Sequence, residues 1–301
     1  MKELRNKFIF WLYSLLKRYL LGLSDEKRRR LARRLGGFLF ALGLETKIGM
    51  RNLEMAFGEE LNQTERKTLL RECYRFYCVQ IFEILRYFSD KSTDFRELFS
   101  MDAESRANLE KMKSAPCLIL TCHYGNWEFA TQFLHAYGVK GKFYSGRQKM
   151  EAFEQELKDL RNHQSDLTFG KSKNSLLAMQ KFLKNGYSIG MLADLDDKKS
   201  DLFVNFFGKP ATASRGPSLI SVRKGYPAFF LITRFLDYGK YFMEVREMTV
   251  PATGDNAADE LSFLRDYMSR VEAEIRKEPA QYLWINKRWR TRLAGEKNIY
   301  R

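Results

Sequence analysis

Cys117 to Thr121 is a short apolar run behind Pro116, and its reading as a buried β-strand constrains the fold more than any other stretch. His123 follows its carboxyl end, Gly125 and Asn126 turn the chain, and Trp127 to Leu134 has the apolar spacing of a helix. Open α/β sheets bind their ligands outside the carboxyl ends of strands, which is where this turn places His123. Glu128 lies five positions on, in the first turn of the helix. A carboxylate bonded to one imidazole nitrogen fixes the tautomer and leaves the other nitrogen as a base. His123 with Glu128 is therefore the expected hydroxyl-activating pair. Taken alone, the same residues also describe an ordinary turn histidine and a capping glutamate.

The chain alternates beyond this unit. Strands are expected at Gly141–Ser145, Leu167–Phe169, Ser188–Ala193 and Leu202–Phe207, and Ala228–Phe235 pairs with Tyr241–Arg246 as a hairpin. Helices are expected over Lys149–Asn162, Ser175–Leu183, about Ser214–Lys224 and Leu261–Lys277. Such alternation predicts an α/β fold, a mixed central sheet flanked by helices. Leu35 to Phe99 reads as helical, with a start at Asn62-Gln-Thr-Glu65 and Thr64 as its cap. Phe76 to Phe88 is apolar all round, so that helix is buried on most faces or lines an apolar surface. Glu83 sits within it and is given no role.

The chain of 301 residues carries a formal charge of +15, which points to anionic partners: phospholipid headgroups, an acidic protein or nucleic acid. Its amino terminus favours the membrane. Phe8 to Leu16 is apolar, Lys17-Arg18 interrupts, and Tyr19 to Leu23 resumes, a stretch shorter than a comfortable span. Trp11, Tyr13 and Tyr19 with neighbouring cations suit the headgroup boundary, and Lys27 to Arg34 adds the positive charge of a cytoplasmic face. Residues 1–34 are thus expected as a membrane-associating helix and basic segment, and residues 35–301 as one catalytic domain. Cys73, Cys78, Cys117 and Cys122 have no zinc-knuckle spacing and are expected as reduced thiols, with no metal site.

Several ordered blocks carry a resemblance: Arg51-Asn-Leu-Glu-Met-Ala-Phe57, His123-Tyr-Gly-Asn-Trp-Glu128, Arg147, Arg161, Gly186 to Asp194, Val204 to Ala211 and Pro279 to Trp289. With them the sequence resembles the lipid A biosynthesis (HtrB/LpxL/LpxM-type) acyltransferase family, within the lysophospholipid acyltransferase-like group. The resemblance implies that fold, and acyl transfer to a glycolipid hydroxyl at the cytoplasmic face of the bacterial inner membrane. It implies an acyl chain carried by acyl carrier protein, or by coenzyme A, as co-substrate and no bound cofactor. It gives His123 the role of base and Glu128 that of its orienting acid. It also makes Asn126, Arg147, Arg161, Asp194, Phe207 and Gly208 substrate-binding candidates, the arginines for phosphate or oxyanion. Asp194, on the same predicted sheet edge, is an alternative partner for the imidazole.

Two departures bear on the acceptor. Asp194 is followed by Leu195 where relatives often have Gln, and Asn286 replaces a residue that is often His. Other phospholipid or phosphoglycolipid acceptors therefore stay open. A glycerol-phosphate acyltransferase is disfavoured, because it carries Asp at the fifth position and a later Glu-Gly-Thr-Arg block. A non-catalytic basic membrane- or nucleic-acid-binding protein leaves the ordered blocks unexplained, so no nucleic acid is expected as partner.

Overall fold

The structure, a computed structural model, describes residues 2–146, 151–161, 167–170 and 174–300. In chain order, helices α1 (Lys2–Leu21), α2 (Asp25–Ala41), α3 (Thr46–Phe57) and α4 (Gln63–Ser89) precede a short strand β1 (Phe99–Ser100) and helix α5 (Ala103–Ser114). Next come β2 (Leu118–Thr121), α6 (Trp127–Ala136), β3 (Gly141–Ser145), α7 (Glu151–Arg161), β4 (Thr168–Gly170), α8 (Ser175–Lys184) and β5 (Ser188–Leu192). A hairpin of β6 (Phe203–Phe206) and β7 (Lys209–Thr212), helix α9 (Gly216–Ser221), strands β8 (Ala228–Asp237) and β9 (Lys240–Met248), and helix α10 (Asn256–Lys277) complete it.

The main sheet has the order β1-β9-β8-β2-β5-β3-β4. Strands β8, β2, β5, β3 and β4 run parallel, while β9 returns antiparallel to β8, so the sheet is mixed as expected. β2 lies at its centre and is buried at every position, which is why Leu118-Ile-Leu-Thr121 reads as one apolar run without alternation. Its two faces still separate. Leu118, Leu120 and Cys122 join a core with Ile220, Tyr267 and Val271, whereas Cys117 and Ile119 join Leu109, Phe129 and Phe133 on the other side.

Helix α4 contributes to both cores, Leu70 to Tyr77 to the first and Cys78 to Phe88 to the second, which accounts for its apolar character on all sides. Its start is a capping box: Asn62, and not Thr64, is the cap, accepting from Thr64 N and Glu65 N while Glu65 accepts from Asn62 N. Helix α2 packs across α4 at Gly36, where a Cβ would stand 2.4 Å from the Tyr74 carbonyl oxygen.

The amino-terminal cations are largely engaged within the protein. Arg28 is buried, bonded to the Leu20 and Leu23 carbonyls and to Asp25, while Arg29 pairs with Asp237 and Arg33 with Glu72. Phe8, Trp11, Leu12, Leu15, Leu16 and Tyr19 of α1 are exposed. Among the described residues no helix is long and apolar enough to cross a membrane.

Candidate active site

β2 and β5 pair in parallel, with Leu118 beside Ile189 and Thr121 beside Leu192. His123 and Asp194 each lie two residues past those strand ends, and the register that aligns the strands brings the two residues together. His123 Nδ1 lies 2.8 Å from Asp194 Oδ1, and the His123 backbone N–H donates to Asp194 Oδ2 at 3.1 Å. Asp194 is fully buried, while the His123 side chain retains 20% exposure. Burial pushes the Asp194 carboxyl up, but the His123 ring and the hydrogen bonds outweigh it and hold the group below the usual carboxylate range. With Asp194 ionised, Nδ1 carries the imidazole proton and donates it, so Nε2 is left with a free lone pair.

Glu128 takes a different partner from the expected one. Arg161 grips it with two parallel bonds, Nε to Oε2 at 2.7 Å and Nη2 to Oε1 at 2.5 Å. Both side chains are mostly buried, at 13% and 15% exposure. Burial lowers the Arg161 pKa, and the charge of Glu128 with its hydrogen bonds more than reverses this, so the guanidinium stays charged. The orienting contact expected from Glu128 is made by Asp194. Glu128 holds Arg161, which lines the same cavity as the histidine.

The turn between them is tightly confined. Gly125 has φ +60°, and a Cβ there would stand 1.5 Å from the Thr233 carbonyl oxygen. Gly125 N–H donates to the Gln281 carbonyl at 3.1 Å, and Leu283 N–H to the His123 carbonyl at 3.0 Å, tying the turn to the carboxyl-terminal block. Trp127 then stands edge-on to the His123 ring at 5.1 Å. Asn126 is buried and donates to the Tyr241 hydroxyl at 3.2 Å.

His123, Glu128 and Arg161 open onto one cavity of about 350 Å³. Much of its wall is apolar, with Ile119, Ala130, Leu134, Phe143 and Leu231 among the lining residues, and the hydroxyl-bearing Thr121, Thr131, Tyr144, Ser145 and Thr168 line it as well. Two wider grooves, of about 700 and 870 Å³, lie on α3 and α4, but neither is lined by a histidine. The arrangement in the smaller cavity offers a base, a fixed cation and room for an apolar chain.

A family model for bacterial lipid A biosynthesis acyltransferases matches residues 2–291. The chain belongs to this family. It is similar to the lipid A biosynthesis palmitoleoyltransferase of Escherichia coli (strain K12), at 22% identity over 259 residues that cover 84% of this chain and 81% of the relative. The lipid A biosynthesis acyltransferase of Shigella flexneri matches with the same figures. The protein is thus an acyltransferase of lipid A biosynthesis, and its acceptor is a glycolipid.

The remaining candidates divide. Phe207 and Gly208 form the two-residue turn of the β6–β7 hairpin, with φ of +54° and +70°. Phe207 packs against Phe57 and Trp284 with the Arg276 guanidinium 4.7 Å from its ring, and neither turn residue lines the cavity onto which His123 opens. Arg147 lies outside the described residues. Cys122, adjacent to His123, is fully buried, and burial pushes its thiol well up, with the Asp194 charge adding to the effect. It is held as a thiol and not as a thiolate nucleophile. Sequence reasoning missed Trp127 as the ring against the imidazole, although it lies inside the His123–Glu128 block. It also missed Tyr241, whose sequence neighbourhood carries no chemical signal.

Proposed function

We propose that this acyltransferase works by general-base catalysis, with His123 as the base and Asp194 as the group that orients it. The observation that carries the reading is the 2.8 Å contact between His123 Nδ1 and a buried carboxylate, with His123 lining a cavity whose wall is largely apolar. The acyl donor is a thioester on acyl carrier protein, an acidic partner suited to a chain of +15. The apolar part of the cavity takes the acyl chain and leaves the thioester carbonyl next to His123. The acceptor hydroxyl of a lipid A precursor gives its proton to Nε2 as its oxygen attacks that carbonyl. The tetrahedral oxyanion collapses, the carbon–sulfur bond breaks, and the imidazolium returns the proton to the leaving thiolate. Asp194 stabilises the imidazolium between these steps. Arg161, fixed by Glu128, supplies positive charge beside the developing oxyanion.

Acyl transfer from acyl carrier protein to a lipid A precursor tests this directly. His123→Ala is expected to lose activity by orders of magnitude with folding retained, and near-wild-type turnover in that variant would sink the mechanism. A wild type that accepts acyl-coenzyme A but not the acyl carrier protein thioester would overturn the donor assignment alone.

The site works at the cytoplasmic face of the inner membrane, held there by α1. Phe8, Trp11, Leu12, Leu15, Leu16 and Tyr19 recur at helical spacing and are exposed, while Phe10 and Tyr13 of the same helix pack against Phe153 in α7. Flotation with anionic liposomes measures this. A Trp11→Glu, Leu15→Glu double variant that still floats like the wild type would exclude α1 as the anchor.

A further inference from the structure

The turn that carries His123 is also held from below, by a buried polar chain that starts on α4. Glu83 is fully buried. Its Oε1 accepts from the Gly239 backbone N–H at 2.6 Å, in the β8–β9 turn, and its Oε2 accepts from the Tyr241 hydroxyl on β9. Tyr241 Oη in turn accepts from Asn126 Nδ2 at 3.2 Å. Tyr241 and Asn126 are each 1% exposed. Asn126 immediately precedes α6, between His123 and Glu128, so the chain runs from α4 to the hinge of the site.

An ionised carboxyl in this position is costly, because only two neutral donors, the Gly239 N–H and the Tyr241 hydroxyl, replace its hydration. Among the described residues Glu83 has no cationic partner, and its neighbours are aromatic: Tyr87 on its own helix, Tyr241 on β9 and Tyr238 in the hairpin turn. The charges that act on it are carboxylates, Asp237 at the end of β8 and Asp25 at the start of α2, themselves paired with Arg29 and Arg28. Burial pushes the Glu83 carboxyl up to about 8, against the bonds from Tyr241 and Gly239, with Asp237 and Asp25 adding to the push. Both protonation states are therefore accessible near neutral pH.

The two states order the chain in opposite directions. An ionised Glu83 only accepts, so Tyr241 gives its proton to Glu83 and Asn126 gives an amide proton to Tyr241. A protonated Glu83 donates to Tyr241 Oη, and the Tyr241 proton must then find an acceptor. Asn126 Oδ1 belongs to the amide already in contact with that hydroxyl, and it is buried without a hydrogen-bond partner in the first arrangement. Turning the Asn126 amide over satisfies the reversed chain.

We propose that Glu83 and Tyr241 are positioning residues of the acyl-transfer site: through Asn126 they set the amino end of α6, and with it Trp127 against His123, in a way that follows the proton on Glu83. The inference rests on His123 as the reacting group. The chain has three histidines, so ¹³C-labelled histidine resolves His123 by NMR once His123→Asn has assigned it. Glu83→Gln donates toward Tyr241 as a protonated acid does and locks the reversed direction. Tyr241→Phe cuts the chain and keeps the ring. Both are close to isosteric, and thermal melts confirm that each variant folds.

The wild-type His123 signal is expected to show a second inflection on the alkaline side that both variants lose. In acyl-transfer assays Tyr241→Phe is expected to lower kcat about tenfold, with the KM of donor and acceptor unchanged. A His123 titration that is superimposable in all three proteins would overturn the proposal, as would a Tyr241→Phe enzyme with wild-type kcat and only a lower melting temperature. The NMR comparison needs no substrate. If the wild type acylates no glycolipid, the acyl-transfer reading fails while the titration curves still decide the positioning role.

Discussion

Replacing Asp194 by Asn separates the role of its charge from that of its shape. Asp194 accepts two bonds from His123, one from ring Nδ1 and one from the backbone N–H. Asn offers one acceptor oxygen and one donor NH₂ in the same volume. If the oxygen faces the ring, the NH₂ meets the His123 backbone N–H in a buried donor–donor clash, at a cost of about 1–3 kcal/mol. If the oxygen faces the backbone, the NH₂ donates to Nδ1 and the imidazole proton moves to Nε2, the atom that must receive the hydroxyl proton. The second arrangement satisfies both bonds and so prevails, leaving a well-folded enzyme with its base blocked. A wrong tautomer in an Asp–His pair costs roughly 10⁴ in kcat, or about 5.4 kcal/mol at 1.36 kcal/mol per decade. Stability should change little, because the exchange also removes a buried charge that lacks a permanent cation, a near balance within about 1–2 kcal/mol. Steady-state acyl transfer with Asp194→Asn, alongside a denaturant titration, gives both numbers. A variant that keeps more than about a tenth of wild-type kcat would refute the tautomer argument.

Glu128→Ala strips a buried arginine of its partner and is expected to lose both activity and about 3–5 kcal/mol of stability, read by urea titration; full stability would mean Arg161 finds water or another acid. Gly125→Ala places a Cβ 1.5 Å from the Thr233 carbonyl oxygen at a φ of +60° and is expected to cost about 4 kcal/mol or more, seen as a lowered melting temperature or insoluble expression. The Glu83 carboxyl is raised in the folded state, so its contribution to stability is full below about 4.5 and fades as pH rises through about 8. Glu83→Gln should therefore flatten the melting temperature across that window; an equally steep decline in the variant would assign the dependence to other groups. For Asp194 the sign is opposite: its pKa is lowered by folding, so the stability it contributes is present above the ordinary aspartate pKa and is lost as pH falls below it. A wild-type acid limb steeper than that of Asp194→Asn in pH-dependent melts is the expected result.

The chain itself determined what depends on neighbours in sequence. An apolar run behind a proline, a Gly-Asn turn and a helical period were enough to place His123 at the carboxyl end of a buried strand, and that is where it stands. The Asn62–Glu65 start of α4 is also local, although its cap is Asn62, whose side chain reaches both Thr64 N and Glu65 N, and not Thr64. The ordered blocks, taken as a set, carried the family. Contacts across the sheet were of another kind. The sequence offers Asp194 only as an alternative to Glu128 on the same sheet edge, and the choice is made by the parallel pairing of β2 and β5 with Leu118 beside Ile189, which joins residues 71 apart. Glu128, near enough in sequence to reach the ring, instead meets Arg161 at the end of α7, because helix packing sets which partner its carboxylate faces. The same holds for Glu83, which reads as a stray acid on an apolar helix until the fold brings Gly239, Tyr241 and Asn126 around it. Short-range order follows from steric and periodic preferences of adjacent residues. The partner of a buried charge is decided by register and packing, which exist only once the sheet has formed.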